Sequence, residues 1–278
     1  MRCAWDAFIN LVPASIRREV DRLGKDSLQE LRLRRGRETE LVLHGGNMWL
    51  SYCATAEDLA FSVNMASRYS PWAAETASKG YITAPGGHRV GLCGICTMRG
   101  SQILGIRKPD SLCIRVARDL PGIGDGIPNE GSVLILGPPG TGKTTLLRDV
   151  IRSRSKKECV AVVDERGELF PCDADFFAGK RTDVLTGCSK ADGVEMALRT
   201  MGPQVIGVDE ITAASDCEAL THAGWCGVKL LATAHAADLE DLRSRPVYRP
   251  LWSGGLFDTL VVMSRDKTWK AERMTRWN

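Results

Sequence analysis

The sequence predicts an α/β protein in two parts: a smaller N-terminal α+β domain over residues 1–120, and a parallel sheet covered by helices over residues 132–278. Three observations predict it. Beyond residue 131 the runs VLIL, CVAVV, VIGV and KLLAT are apolar on both faces and separated by stretches of helical periodicity, the pattern of strands buried under helices on each side. Before residue 120 the rhythm alternates and is broken by glycine, as in LRLRR and SLCIRVA. Between them PGIGDGIPNEG, residues 121–131, holds four glycines and two prolines in eleven positions and reads as a linker.

Within the first part, ELVLHGGNMWL is expected as a hairpin turning at Gly45 and Gly46. TAEDLAFSVNMASRYS follows as a helix, with Thr55 and Asp58 spaced as a capping box. YITAPGGHRVGLCGI and SLCIRVA then form a strand pair. Arg32, Arg34, Arg35 and Arg37 make the densest basic cluster, but Glu30, Glu38 and Glu40 are interleaved with them, which describes a solvated strand face better than a phosphate track.

Lysine and arginine outnumber aspartate and glutamate by 37 to 34, so the net charge of +3 is too small for a nucleic-acid footprint. No nucleic acid is expected as partner. Ten cysteines stand behind an N-terminus, MRCAWDAFIN, that lacks an apolar signal core, which points to a reducing, cytoplasmic compartment. Cys93 and Cys96 form the only CxxC; with no second ligand pair nearby they read as buried free thiols rather than a zinc site. No apolar run approaches the ~18 residues of a membrane span, so any work at a membrane is done from its surface, at the inner face.

GPPGTGKTT, residues 137–145, carries the chemistry. It fits GxxxxGK[ST], with Gly137, Gly142, Lys143 and Thr144 in the fixed places and Pro138, Pro139, Gly140, Thr141 and Thr145 completing the loop. Such a loop wraps phosphate oxygens with backbone N–H groups while the following helix turns its positive end toward them. Lys143 would neutralise the β and γ phosphates of ATP, and Thr144 would hold Mg2+ through its hydroxyl. A bare glycine turn predicts nothing downstream. A phosphate loop predicts apolar strands ending in acids, and two occur: CVAVVDE ends at Asp164 and Glu165, QVIGVDE at Asp209 and Glu210.

In P-loop NTPase sheets of RecA-like order, a strand intervenes between the loop and the magnesium carboxylate. That order makes Asp209 the Mg2+ partner and Glu210 the residue that activates water, with Asp164, Glu165 and Glu168 on the neighbouring strand end at the carboxyl edge of the sheet. Alternatively, Glu165 with Arg166 is a surface ion pair. KLLATAHA brings Thr233 and His235 to the end of a further strand, where His235 is either a γ-phosphate sensor or a structural histidine. SKAD, residues 189–192, approximates a guanine-reading motif but precedes the second acidic strand, so adenine is favoured by default.

Taken together, YITAPGGHRVGLCG, SLCIRVAR, GPPGTGKTTLLRDV, VVDERGEL, DVLTGCSKADG, LRTMGPQVIGVDEI and LLATAHA resemble the stage III sporulation protein AA family, ATPases of endospore-forming bacteria, over residues 28–265 or so. That family is similar to the hexameric ATPases of type II and type IV secretion systems. The resemblance implies a homo-hexameric ring with nucleotide at subunit boundaries, working with the membrane channel subunits of a mother-cell to forespore apparatus. It also implies that Asp164 to Glu168 take the place of an acidic box, Ala234 and His235 that of a histidine box, and that an arginine reaches the γ-phosphate. Arg115, Arg118, Arg89 and Arg199 are candidates for that arginine, Arg115 and Arg199 foremost. Asp209 stands where many secretion ATPases have glycine, so the exact magnesium ligand is not carried over from them, and Thr212 follows the acidic pair where glycine is expected for the family. The stretch RSRPVYRPLWSGG is either a subunit contact or a loop before a last strand, LVVM. Besides a hydrolytic motor, the same residues admit a nucleotide-gated scaffold that hydrolyses negligibly, or a nucleic-acid motor.

Overall fold

Two sheets, one in each of two units, organise the chain, and a computed structural model describes residues 1–68, 80–171, 174 and 176–274. The first unit spans residues 1–119 with 171–175; the second spans 120–170 and 176–278.

In the first unit, helices α1 (Trp5–Leu11) and α2 (Ala14–Ser27) precede strands β1 (Leu28–Arg34), β2 (Glu38–Leu43) and β3 (Gly46–Cys53). Helix α3 (Ala56–Ser67) follows, then β4 (Tyr81–Thr83), β5 (Arg89–Arg99) and β6 (Gln102–Arg115). The strands form one antiparallel sheet in the order β3-β2-β1-β6-β5-β4. Its alternating strands put Leu31 and Leu33 into a core with Phe8, Leu11, Ile16 and Leu59 from the helices. The expected capping box is present: Asp58 N donates to Thr55 Oγ1 and Thr55 N donates to Asp58 Oδ2. Helix α3 ends at Arg68 in the left-handed region (φ 50°); the last two residues of the expected helix lie outside the described residues.

The basic cluster is an ion-paired strand face. Arg32 pairs with Glu30, Arg34 with Glu40 and Arg35 with Asp110. His88 is fully buried: its Nδ1 accepts from Ala117 N, so its Nε2–H donates to Ala4 O. Cys93 and Cys96 correct the sequence reading. Both are exposed, because β5 and β6 run on past the other strands of their sheet as a two-stranded ribbon with solvent on either face.

In the second unit, β7 (Val133–Leu136) leads through the glycine loop into α4 (Lys143–Arg154). Next come β8 (Val160–Asp164), β9 (Thr182–Thr186), α5 (Lys190–Thr200), β10 (Val205–Ile211), α6 (Ala214–Trp225) and β11 (Lys229–Ala234). Short helices α7 (Leu239–Ser244) and α8 (Arg249–Ser253) precede β12 (Thr259–Met263) and β13 (Trp269–Arg273). The sheet order is β13-β12-β7-β11-β10-β8-β9, parallel throughout except for β13. Strands β7, β8 and most of β10 and β11 are buried residue by residue, as expected of a parallel sheet covered on both sides.

Three expectations change here. Segment 121–131 belongs to the second unit and is fastened to it: the amides of Gly122 and Gly124 donate to Asp149 of α4, and Trp269 Nε1 donates to Ile123 O. Its glycines and prolines serve a tightly turned, bonded segment, which composition cannot tell from a free one. LVVM is not the last strand, since β13 pairs antiparallel beyond it. The stretch before it is structured rather than loop, with Leu251 buried and Tyr248 Oη donating to Ile211 O.

Candidate active site

The glycine loop is shaped by two steric requirements. A Cβ on Gly137 would lie 2.7 Å from Thr141 Oγ1 and 3.0 Å from Met263 O, so no side chain fits there. Gly142 has φ 98°, in the region that L side chains avoid, and it stands at the N-cap of α4 with no side chain bonding the first-turn amides. Those amides, with the helix dipole behind them, present a positive helix end of the kind that suits an anion. Pro139 and Gly140 are exposed, and a Cβ on Gly140 would meet nothing within 4 Å.

Lys143 is buried and points back into the loop. Its ammonium donates to Gly137 O (2.8 Å), Pro138 O (3.0 Å) and His235 Nδ1 (3.0 Å), which uses all three of its protons. Burial holds its pKa below the usual lysine value, while the Asp209 and Glu210 carboxylates oppose that shift. Because an ammonium only donates, His235 Nδ1 is the acceptor and its proton resides on Nε2. That proton faces Glu210 Oε1 at 3.0 Å. A chain of bonds thus runs from the phosphate loop through His235 to Glu210.

Asp209 and Glu210 stand where β10 leaves its register with β11, between Val208 and Ile211. Strand β11 lies between β7 and β10, the intervening strand the sequence argument needs. The irregularity is pinned by Thr233, fully buried on β11, whose hydroxyl donates to Asp209 Oδ1 (2.6 Å) and accepts from Glu210 N (2.7 Å). Asp209 Oδ2 in turn accepts from Thr144 Oγ1 at 2.6 Å. Glu210 itself has φ 55°, an uncommon conformation for a residue with a long side chain and one that costs about 1 kcal/mol or more.

The acidic turn after β8 divides its residues between two tasks. Asp164 is nearly inaccessible and accepts from the amides of Glu168, Leu169 and Phe170, so it shapes the DERGE turn; burial pushes its carboxyl up, against the pull of those amides. Glu165 pairs with Lys190 at 2.6 Å, not with Arg166. Arg166 reaches instead to Glu210 Oε2 at 3.0 Å. Asp164, Glu165, Arg166, Glu168, Lys190, Asp209 and Glu210 line one small cleft.

Lys190 was not foreseen as a site residue. It follows Ser189, the N-cap of α5, in SKAD, and its ammonium also lies 3.9 Å from Asp216. SKAD is therefore occupied with capping and ion pairing. The arginine candidates are dispersed. Arg115 belongs to the first unit and pairs with Glu30 (2.9 Å); Arg118 donates to the carbonyls of Lys25 and Leu28; Arg89 lies over the Tyr81 ring. Arg199, on α5, is largely exposed and within 3.6 Å of Glu195.

The residues present fit a nucleotide with Mg2+. Thr144 and Asp209 offer hard oxygen donors side by side, and among the described residues no cluster of three or more His, Cys, Asp or Glu side chains is placed to hold a metal unaided. Hard oxygen donors of this kind suit Mg2+.

The sequence profile of "Sporulation stage III, protein AA" matches residues 5–273. The chain belongs to that family. It is 40% identical over 256 residues to stage III sporulation protein AA of Bacillus subtilis, covering 86% of this chain and 83% of that protein. Among solved structures it is similar to the Legionella pneumophila ATPase DotB, with a TM-score of 0.60 at 17% identity over 94% of this chain and 79% of that one. It is also similar to the pilus retraction motor PilT bound to ADP, with a TM-score of 0.59 at 15% identity over 89% and 76%. At these identities the likeness establishes the fold alone, an α/β architecture carrying the RecA-like parallel sheet. Among the described residues of this family member, no helix is long and apolar enough to cross a membrane.

Proposed function

We propose that this chain is a ring-forming ATPase that hydrolyses ATP to energise a channel or secretion-type apparatus during sporulation. One observation carries the reading: Thr144 of the phosphate loop and Asp209, 65 positions apart in sequence, meet at 2.6 Å, and Lys143 shares a bonded chain with the neighbouring Glu210. A glycine turn without a ligand has no need of either contact.

In this reading the first-turn amides of α4 and Lys143 hold the phosphates, exchanging the bonds of Lys143 within the loop for bonds to phosphate oxygen. Thr144 and Asp209 would hold Mg2+, which supplies charge neutralisation at the transferring phosphate. Glu210 orients the attacking water and accepts its proton. His235, with its proton fixed on Nε2, positions the Glu210 carboxylate and carries the state of Lys143 to it. Arg166 occupies the other oxygen of Glu210 and must yield for the base to work. Glu165 and Glu168 shape the acidic wall of the cleft. Arg199, exposed on α5, is offered to the γ-phosphate of a neighbouring copy, with Arg115 as the second candidate.

The Arg166–Glu210 pair also favours a second reading, a scaffold in which ATP fixes the assembly and hydrolysis is negligible. Glu210→Gln separates the two. The motor reading expects phosphate release at saturating ATP to fall by about 10²-fold or more while nucleotide affinity is kept. Unchanged release, or release at the limit of detection in the wild type and the variant alike, removes it. Mass in solution with and without ATP and Mg2+ tests the ring, which requires a nucleotide-dependent rise to a closed oligomer.

A further inference from the structure

Among the described residues of the first unit, the ribbon formed by the outer halves of β5 and β6 is the most apolar exposed feature. Ile95, Met98, Ile103 and Leu104 are each between 44% and 52% exposed, and all lie within a few residues of the turn at Gly100 and Ser101. Scattered exposed apolar side chains need no explanation, but four of them on one projecting element do. A two-stranded ribbon is only marginally stable alone, so solvent on both faces makes these residues a poor use of apolar surface unless something covers them.

Charge decides what covers them. Residues 93–109 contain no acid and three bases, Arg99, Arg107 and Lys108, all of them exposed. Lys108 lies opposite Ile95 in the ladder, and Arg99 opposite Gln102 beside the turn. At about 3.3 Å per residue, the apolar side chains nearest the turn lie within on the order of 10 Å of the tip, the depth to which apolar residues enter the boundary between headgroups and acyl chains. The bases stand at the turn and behind it, where they would meet headgroups. An apolar end flanked by bases, with the first acid at Asp110 already paired to Arg35, matches an anionic bilayer surface; a protein groove of mixed charge would not require the exclusion of acids over residues 93–109.

We infer that the β5–β6 ribbon is a membrane-docking arm that inserts its apolar tip into the interfacial layer of an anionic lipid bilayer. The inference does not depend on nucleotide hydrolysis, so it stands or falls separately from the ATPase reading.

The test is sedimentation of the full chain with vesicles of phosphatidylcholine alone and of phosphatidylcholine mixed with phosphatidylglycerol. The expected result is binding to the anionic vesicles, weakened by salt, and little binding to the neutral ones. The combined variant Met98→Ser, Ile103→Ser, Leu104→Ser should lose at least tenfold in affinity. The variant Arg107→Gln, Lys108→Gln leaves the apolar tip intact and should lose about fivefold per charge removed. The substituted positions are exposed, and thermal unfolding of each variant checks that the unit remains folded. Absence of binding to both vesicle types, equal binding to both, or wild-type affinity in both variants would overturn the arm as a lipid contact. So would a variant that changes only self-association, which would make the ribbon an interface between copies.

Discussion

Thr233 shows how one side chain sustains the candidate site through its neighbours. Its hydroxyl is fully buried and bonded twice, to Asp209 and to the amide of Glu210, so it holds the irregularity in β10 that brings Asp209 to Thr144 and Glu210 to His235. Thr233→Val keeps the shape and removes both bonds. It leaves the Glu210 amide without a partner, and we expect it to destabilise the chain by about 1–3 kcal/mol and to lower turnover, with Thr233→Ser restoring most of both. Urea unfolding and phosphate release on the three proteins check this. His88 gives a second prediction. Burial holds its imidazolium pKa below the ordinary 6.5, so the unfolded chain takes up the proton first as pH falls. Stability from this group is complete above pH 6.5 and declines below it until the folded-state value is reached. The urea midpoint should fall between pH 7 and pH 5, and by less in His88→Gln. The site's residues were legible to different degrees for a physical reason. Gly137, Gly142, Lys143 and Thr144 are fixed by the spacing of a single loop, and Asp209 with Glu210 by the end of an apolar strand. Arg166 and Lys190 meet their partners across 44 and 25 positions, and no local pattern announces an ion pair formed between separate strands and helices.

At the scale of elements, legibility followed burial. Strands β7, β8, β10 and β11 are buried nearly throughout and announce themselves as apolar runs, whereas β9 and β13 lie at the two edges of the sheet. TDVLT and WKAER are mostly open to solvent, and their composition looks like loop because only one neighbour pairs with each. The same physics misplaced Cys93 and Cys96: their neighbours are apolar, but the ribbon that carries them outruns its sheet. Capping was the most local signal and the best preserved. The reciprocal bonds of Thr55 and Asp58 start α3 as the spacing predicts, and Asp58 also accepts from Tyr52 Oη on β3. Thr55→Ala removes one arm of the box and should cost about 1 kcal/mol, measured as a shift in urea midpoint without a change in slope. Asp58→Ala loses the Tyr52 contact as well and should cost more.

The molecule as a whole has two units with separate cores, and every residue proposed for the nucleotide site except Arg115 lies in the second. Ligand binding stabilises only the structure that makes the site. Scanning calorimetry should therefore resolve two transitions and move only one of them. A nucleotide concentration one hundred times its dissociation constant adds about 2.7 kcal/mol to the second unit, which for a unit of about 150 residues corresponds to roughly 5–10 °C. ATP with Mg2+ should shift that transition and leave the transition of the first unit in place, and Lys143→Ala should abolish the shift while retaining both transitions. Asp209→Asn should reduce the shift with Mg2+ present and change it little when the metal is chelated, since its carboxylate is assigned to the metal rather than to the phosphates. A shift of both transitions together would mean that the two cores unfold as one cooperative body. A shift that survives in Lys143→Ala would place the nucleotide somewhere other than the glycine loop.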